Sequence, residues 1–141
     1  MAERVIVITG ASDGIGSAAA RLLKGQGANV VIVGRSPEKT QNVAREIGVP
    51  YYLADFAKLE DVRTLATKLR AELPRIDVLV NNAGGVMGRR QLTVDGNELT
   101  TQVNHLAAFL LTNLLLETLV ASKASVIATS SLAIRGPERL T

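Results

Sequence analysis

The sequence has no cysteine. That excludes a disulfide scaffold and any thiolate metal site, and it agrees with a reducing, cytoplasmic setting. Aromatic residues are scarce: Tyr51, Tyr52, Phe56 and Phe109 are the whole set, so a core must be aliphatic. No window carries the roughly 18 consecutive apolar residues that a membrane-spanning helix requires. The N-terminus runs from "MAER" straight into a strand-like stretch, without the pattern of a signal peptide. Excess charge is small, with a net +3, and the densest basic pair, Arg89-Arg90, has no aromatic neighbours. Nucleic-acid recognition asks for a basic face, often with stacking rings, so these charges read as solvated surface.

The 141 residues suggest one domain, 1–141. A chain of that size buries roughly 68% of its unfolded surface, enough for a core. Strand and helix signals alternate, which points to βαβ units around a parallel sheet. Strands are expected at 4–9, 29–34, 51–54, 76–81 and 125–130. Four of them, all but 51–54, are nearly continuous apolar runs, as in a sheet covered on both faces. Helices are expected at 16–27, 36–48, 58–73 and 95–121. In the second, Ser36 reads as N-cap, Pro37 as the first helical residue and Gly48 as the stop. In the last, Leu99, Val103, Leu106, Leu110 and Leu114 fall on one stripe. The Gly-rich "NNAGGVMG" (81–88) is a loop.

The strongest motif is "TGASDGIG" (9–16), between the first strand and the first helix. Gly10 allows a tight turn, Gly14 lets a pyrophosphate approach the backbone, and Gly16 brings the helix close to the sheet. The helix N-terminus offers N–H groups and a positive dipole to phosphates. A P-loop needs Gly-Lys-Ser/Thr, and no lysine stands here. The next informative place is the end of the second strand, "VGRSPEK". A carboxylate there would hold the ribose 2′-OH of NAD(H), whereas an arginine takes the 2′-phosphate of NADP(H). Arg35 follows Gly34 directly, with Ser36 and Lys39 nearby, so NADP(H) is expected over NAD(H).

With "NNAG" (81–84), Asn104 in a long helix and the paired serines after the fifth strand, the chain resembles the short-chain dehydrogenase/reductase family along essentially its whole length. The stretch 89–116 resembles the retinol-dehydrogenase-like and WW-domain-oxidoreductase-like branch. The resemblance implies a Rossmann-type doubly wound sheet with strand order 3-2-1-4-5. It implies that Gly10, Ser12, Gly14, Ile15 and Gly16 line the diphosphate, and that Arg35 and Ser36 meet the 2′-phosphate end. Asp55 would bond the adenine; Asn82, Ala83 and Gly84 would pass their backbone beside the adenosine ribose. Asn104 would shape its helix for a proton relay, and Ser131 would bond the substrate oxygen. A small carbonyl or alcohol substrate, lipophilic in this branch, and a homo-oligomer follow from the same likeness.

Plainer readings stand beside these. Asp55 fits an N-cap near 55–58, Asn81 and Asn82 fit strand-end caps, and His105 fits a packed or partnered side chain better than a catalytic one. The family's proton donor is a Tyr with a Lys four residues later, placed after the serines. No Tyr or Lys follows Ser131, and Tyr51 and Tyr52 read as sheet residues. The expectation is therefore an NADP-binding domain cut before its Tyr-x-x-x-Lys segment, holding half of a catalytic site. The alternative is a dinucleotide-binding or interaction module without chemistry.

Overall fold

The protein is seen as a computed structural model, which describes residues 4–131. Five parallel strands form one sheet in the order β3-β2-β1-β4-β5. These are β1 (Val5–Thr9), β2 (Asn29–Gly34), β3 (Tyr51–Leu53), β4 (Val78–Asn81) and β5 (Ser125–Ala128). Between them run α1 (Gly14–Gly25), α2 (Pro37–Ile47) and α3 (Leu59–Glu72). The last helical stretch comes in pieces: α4 (Leu99–Thr101), a π-helical turn (Gln102–Leu106), α5 (Ala107–Leu114) and α6 (Leu116–Ala121).

Side chains alternate across a strand, and β1 divides its residues between two cores. Ile6 and Ile8 join Ala20, Val30, Ile32, Val43 and Ala44 under α1 and α2. Val7 joins Val31, Val33, Leu65, Leu69, Leu79, Leu111 and Leu115 under α3, α5 and α6. Both cores are aliphatic but for Phe56, as the shortage of aromatics requires. The caps of α2 are the expected ones: the Ser36 hydroxyl accepts from the Lys39 N–H at 3.3 Å, and Gly48 closes the helix at φ 68°.

Three expectations need correction. The helix expected over 95–121 begins at Leu99, because residues 91–98 turn back on themselves through an antiparallel bridge between Leu92 and Glu98. Its buried line is Ala107, Leu111, Leu115 and Leu119, one step round from the expected stripe. The cause is the π turn, whose extra residue rotates everything after it. Finally, β5 is exposed along its length, with Val126 at 47% and Ile127 at 50%, so among the described residues it is not covered like β1 and β2. The stretch after the paired serines, 132–141, lies outside the described residues.

Candidate functional site

The carboxyl ends of the strands converge on one edge of the sheet, where β1 gives way to the glycine turn and β4 to the "NNAG" loop. The turn has the backbone that glycine makes possible: φ is 63° at Gly10 and 53° at Gly14. Asp13 is the N-cap of α1 and accepts from the Gly14 N–H at 2.8 Å. A Cβ on Gly14 would meet nothing within 4 Å, so the ground above this turn is open to a ligand. Ile15 borders it at 73% exposure. The opposite side is closed. A Cβ on Gly10 would lie 2.6 Å from the Ala83 Cα, and one on Gly16 would lie 2.6 Å from the Asn82 Nδ2 and run into the Gly10 carbonyl oxygen. The two loops therefore touch backbone to backbone, and an open cradle beside a closed seam is what a diphosphate on a helix N-terminus needs.

Thr9 fastens that seam. It is buried, and its Oγ1 accepts from the Asn82 N–H at 3.1 Å and the Ala83 N–H at 3.0 Å. The Asn82 side chain completes the join: its Nδ2 donates to the Gly10 carbonyl at 3.3 Å and its Oδ1 accepts from Thr129 at 3.0 Å. This is the strand-end capping read for Asn82 in the sequence, and it ties the loop after β4 to the glycine turn and to Thr129. Asn81 donates through Nδ2 to Thr112 at 3.0 Å, tying β4 to α5.

At the end of β2, Gly34 is buried against Thr40 and Ser12; a Cβ there would stand 3.0 Å from the Ser12 Cβ. The Thr40 hydroxyl donates to the Ser36 carbonyl at 2.6 Å and holds the first turn of α2. Arg35 follows, exposed, and Lys39 reaches back to Asp13 at 3.6 Å. Gly10, Ser12, Gly14, Ile15, Gly16, Arg35 and Ser36 thus line one end of the sheet.

Asp55 lies beyond β3, half-buried. It is not the cap of α3. Its Oδ1 accepts from the Ala57 N–H at 3.0 Å in a local turn, while the N-cap, Lys58, makes no side-chain cap and the Leu59 N–H is taken by Asp95 at 2.9 Å. The capping reading fails because Asp95, 36 residues further on, comes to the same helix end.

Asn104 stands in the π turn. Its Oδ1 accepts from the Gly85 N–H at 2.8 Å, and its Nδ2 donates to the Gly85 carbonyl at 2.9 Å. One side chain thus holds both backbone groups of the residue that follows Gly84. Such turns recur at functional sites, because the extra residue pushes side chains out of register. Ahead of it, Glu98 accepts from the N–H groups of Thr100 and Thr101, and these bonds hold its carboxyl below the ordinary range. His105 is exposed, with its ring 6.4 Å from that of Phe109. Ser130 and Ser131 follow β5, exposed, at the same end of the sheet.

Neither tyrosine belongs to this site. Both are in β3, and Tyr52 donates its hydroxyl to Glu72. Burial, then the bond and charge of Glu72, push its phenol up to about 12. A general acid needs a pKa near the working pH, so Tyr52 is unsuited to the role.

Thr9, Asp95 and Gln102 were not singled out by sequence. Thr9 carried a signal, a lone hydroxyl ending an apolar strand just before the glycines. Gln102 and Asp95 carried none. No helix among the described residues is long and apolar enough to cross a membrane.

Comparison with known proteins gives a consistent result. The profile of the short chain dehydrogenase family matches residues 4–139. Human retinol dehydrogenase 13 is 40% identical over 138 residues, covering 92% of this chain and 42% of its own. A candidate daunorubicin C-13 ketoreductase, DnrU, of Streptomyces sp. (strain C5) is 48% identical over 134 residues, covering 91% of this chain and 46% of its own. The chain spans about half the length of these relatives. A crystal structure of a candidate short chain dehydrogenase from Shigella flexneri 2a, complexed with NADP, superposes with a TM-score of 0.81 at 33% identity, over 96% of this chain and 62% of that one.

Proposed function

The chain belongs to the short-chain dehydrogenase family, in its retinol-dehydrogenase-like branch, and from that premise we propose that it is the coenzyme-binding part of an NADP(H)-dependent oxidoreductase. The observation that carries this reading is the seam of Thr9, Gly10, Asn82 and Ala83 beside the open cradle at Gly14. In this reading Gly10, Ser12, Gly14, Ile15 and Gly16 hold the diphosphate on the N-terminus of α1. Arg35 and Ser36 meet the 2′-phosphate; a guanidinium at the end of β2, with no carboxylate beside it on that strand, favours NADP(H) over NAD(H). The NADP in the Shigella neighbour agrees with that choice. Asp55 faces the adenine, and Asn82, Ala83 and Gly84 run beside the ribose.

When bound, NADP(H) supplies or accepts a hydride. The residues of this chain orient the other reactant. The Ser131 hydroxyl donates to the carbonyl oxygen where negative charge develops, and Asn104, which holds both backbone groups of Gly85, shapes its helix for a proton relay. The activity is proposed for the whole protein, which in this reading also carries the Tyr-x-x-x-Lys pair implied by the family. The substrate class is a lipophilic carbonyl or alcohol, to which the names retinol dehydrogenase and daunorubicin ketoreductase both point. A cytoplasmic setting belongs to the same reading, as does a homo-oligomer formed through α5 and α6, where Phe109, Leu116 and Val120 are exposed.

The test is NADPH consumption by the whole protein against a panel of lipophilic ketones and aldehydes. Turnover should appear, and Ser131→Ala should lower it by about a hundredfold or more, the usual effect of losing a donor to a developing oxyanion. Coenzyme binding without turnover on any carbonyl or alcohol would favour a module that binds dinucleotide without chemistry.

A further inference from the structure

Gln102 is a long polar side chain near the start of a Leu-rich helical stretch, and its relative exposure is zero. A buried primary amide has two N–H groups and two acceptor positions to satisfy. All four are satisfied here. Nε2 donates to the Phe56 carbonyl at 3.1 Å and to the Asp95 Oδ2 at 3.1 Å. Oε1 accepts from the Thr93 hydroxyl at 2.7 Å and from the Asn97 Nδ2 at 2.9 Å. The same Asp95 oxygen accepts from the Leu59 N–H, at the start of α3. Gln102 thus joins the turn that carries Asp55, the loop 91–98 and its own helix.

Gln102 is also the first residue of the π turn, and its carbonyl accepts from the Ala107 N–H five residues on. A turn of this kind can slip by one residue into an ordinary α-helix. A one-residue slip rotates the following side chains by about 100° and would carry Asn104 away from Gly85. The side chain of Gln102, two residues before Asn104, is anchored by four hydrogen bonds at the start of this turn.

We propose that Gln102 is a positioning residue that locks the Asp55 turn and the Asn104–Gly85 clamp into one arrangement, so that the two ends of the coenzyme site are set together. This rests on the coenzyme reading above. Gln102 touches neither coenzyme nor substrate in this scheme and acts through Asn104 and the 54–58 turn.

The test is Gln102→Glu, nearly isosteric but deprived of both donors and bringing a carboxylate against the Phe56 carbonyl and Asp95. Exchange of the Gly85 amide hydrogen, followed by NMR, should accelerate by about tenfold, the value of roughly one hydrogen bond, while β1 and β2 amides keep their rates. NADP+ affinity should fall by a similar factor under conditions where the variant is fully folded. Asn97→Ala, which removes a single donor to Gln102, should shift both readouts in the same direction by less, and it decides the matter if Gln102→Glu does not fold. Wild-type exchange at Gly85 together with wild-type NADP+ affinity in the variants, whatever their thermal midpoints, would overturn the proposal and leave the coenzyme reading intact. A wild-type protein that does not bind NADP+ would remove the coenzyme reading, and the positioning role with it.

Discussion

Replacing Thr9 by valine probes the join between the two site loops with almost no change of shape. Thr9 is 1% exposed, and its hydroxyl takes the N–H groups of both Asn82 and Ala83. Valine fills the same volume, so no cavity opens. The Asn82 N–H keeps a second acceptor, the Val80 carbonyl at 3.0 Å, whereas the Ala83 N–H loses the acceptor it has here. One unsatisfied donor costs about 1–3 kcal/mol, and half-buried Ala83 admits water, so the loss should fall near 1–2 kcal/mol. Serine keeps the hydroxyl and gives up one methyl, at a cost of about 0.8 kcal/mol. Urea denaturation reads the stabilities, and NADPH fluorescence titration reads the site. Thr9→Val should weaken NADPH by about tenfold as the "NNAG" loop loosens, while Thr9→Ser should stay within about twofold of wild type. If both variants bind NADPH equally, or Thr9→Val is as stable as wild type, the hydroxyl is not what holds the seam.

Further expectations concern the backbone and the titrating groups. Gly10→Ala meets both a left-handed φ and the Ala83 backbone at 2.6 Å, and should cost about 2–5 kcal/mol; Gly48→Ala, at φ 68° in open space, should cost about 1–2 kcal/mol. Equal losses in denaturation would refute the close approach of the loops. Tyr52 is one of only two tyrosines in a chain without tryptophan, so alkaline ultraviolet titration should show a delayed step near 12 that Tyr52→Phe abolishes. Because that phenol is raised on folding, its share of stability is complete below about pH 10 and fades as pH climbs towards the folded value. Asp77 behaves in the opposite sense. Arg75 and then the Val5 N–H, which it accepts at 2.8 Å, hold its carboxyl low. The stability gap between wild type and Asp77→Asn should be full at pH 7 and shrink as pH falls below about 4; a gap that is constant with pH would sink this account.

The sheet was legible because each strand reports on itself: runs such as "VIVIT" and "NVVIVG" need no distant partner to be recognised, and the glycine turn is marked by Gly10, Gly14 and Gly16 themselves, the first two of which take a positive φ. The start and stop of α2 were legible for the same reason, since Ser36, Pro37 and Gly48 act within one turn. What escaped depends on partners far along the chain. Asp95 caps a helix 36 residues earlier, Gln102 reaches Phe56 across 46, and Thr9 meets Asn82 across 73. The π turn escaped because a 3.6-residue period says nothing about where an extra residue is inserted. Beyond it the fully buried line is therefore Ala107, Leu111, Leu115 and Leu119, while Val103, Leu110 and Leu114 of the expected stripe pack, half-buried, at the margin of the same core.

In the proposed function the open cradle above Gly14, flanked by Arg35, takes NADP(H). Equilibrium titration of the wild-type protein and Arg35→Asp with NADPH and NADH tests it directly. Saturable binding is expected, with NADPH tighter than NADH by about tenfold or more, the value of a charge-assisted contact, and a reversed order in Arg35→Asp. No saturable binding of either dinucleotide, or equal affinities that Arg35→Asp leaves unchanged, would contradict it.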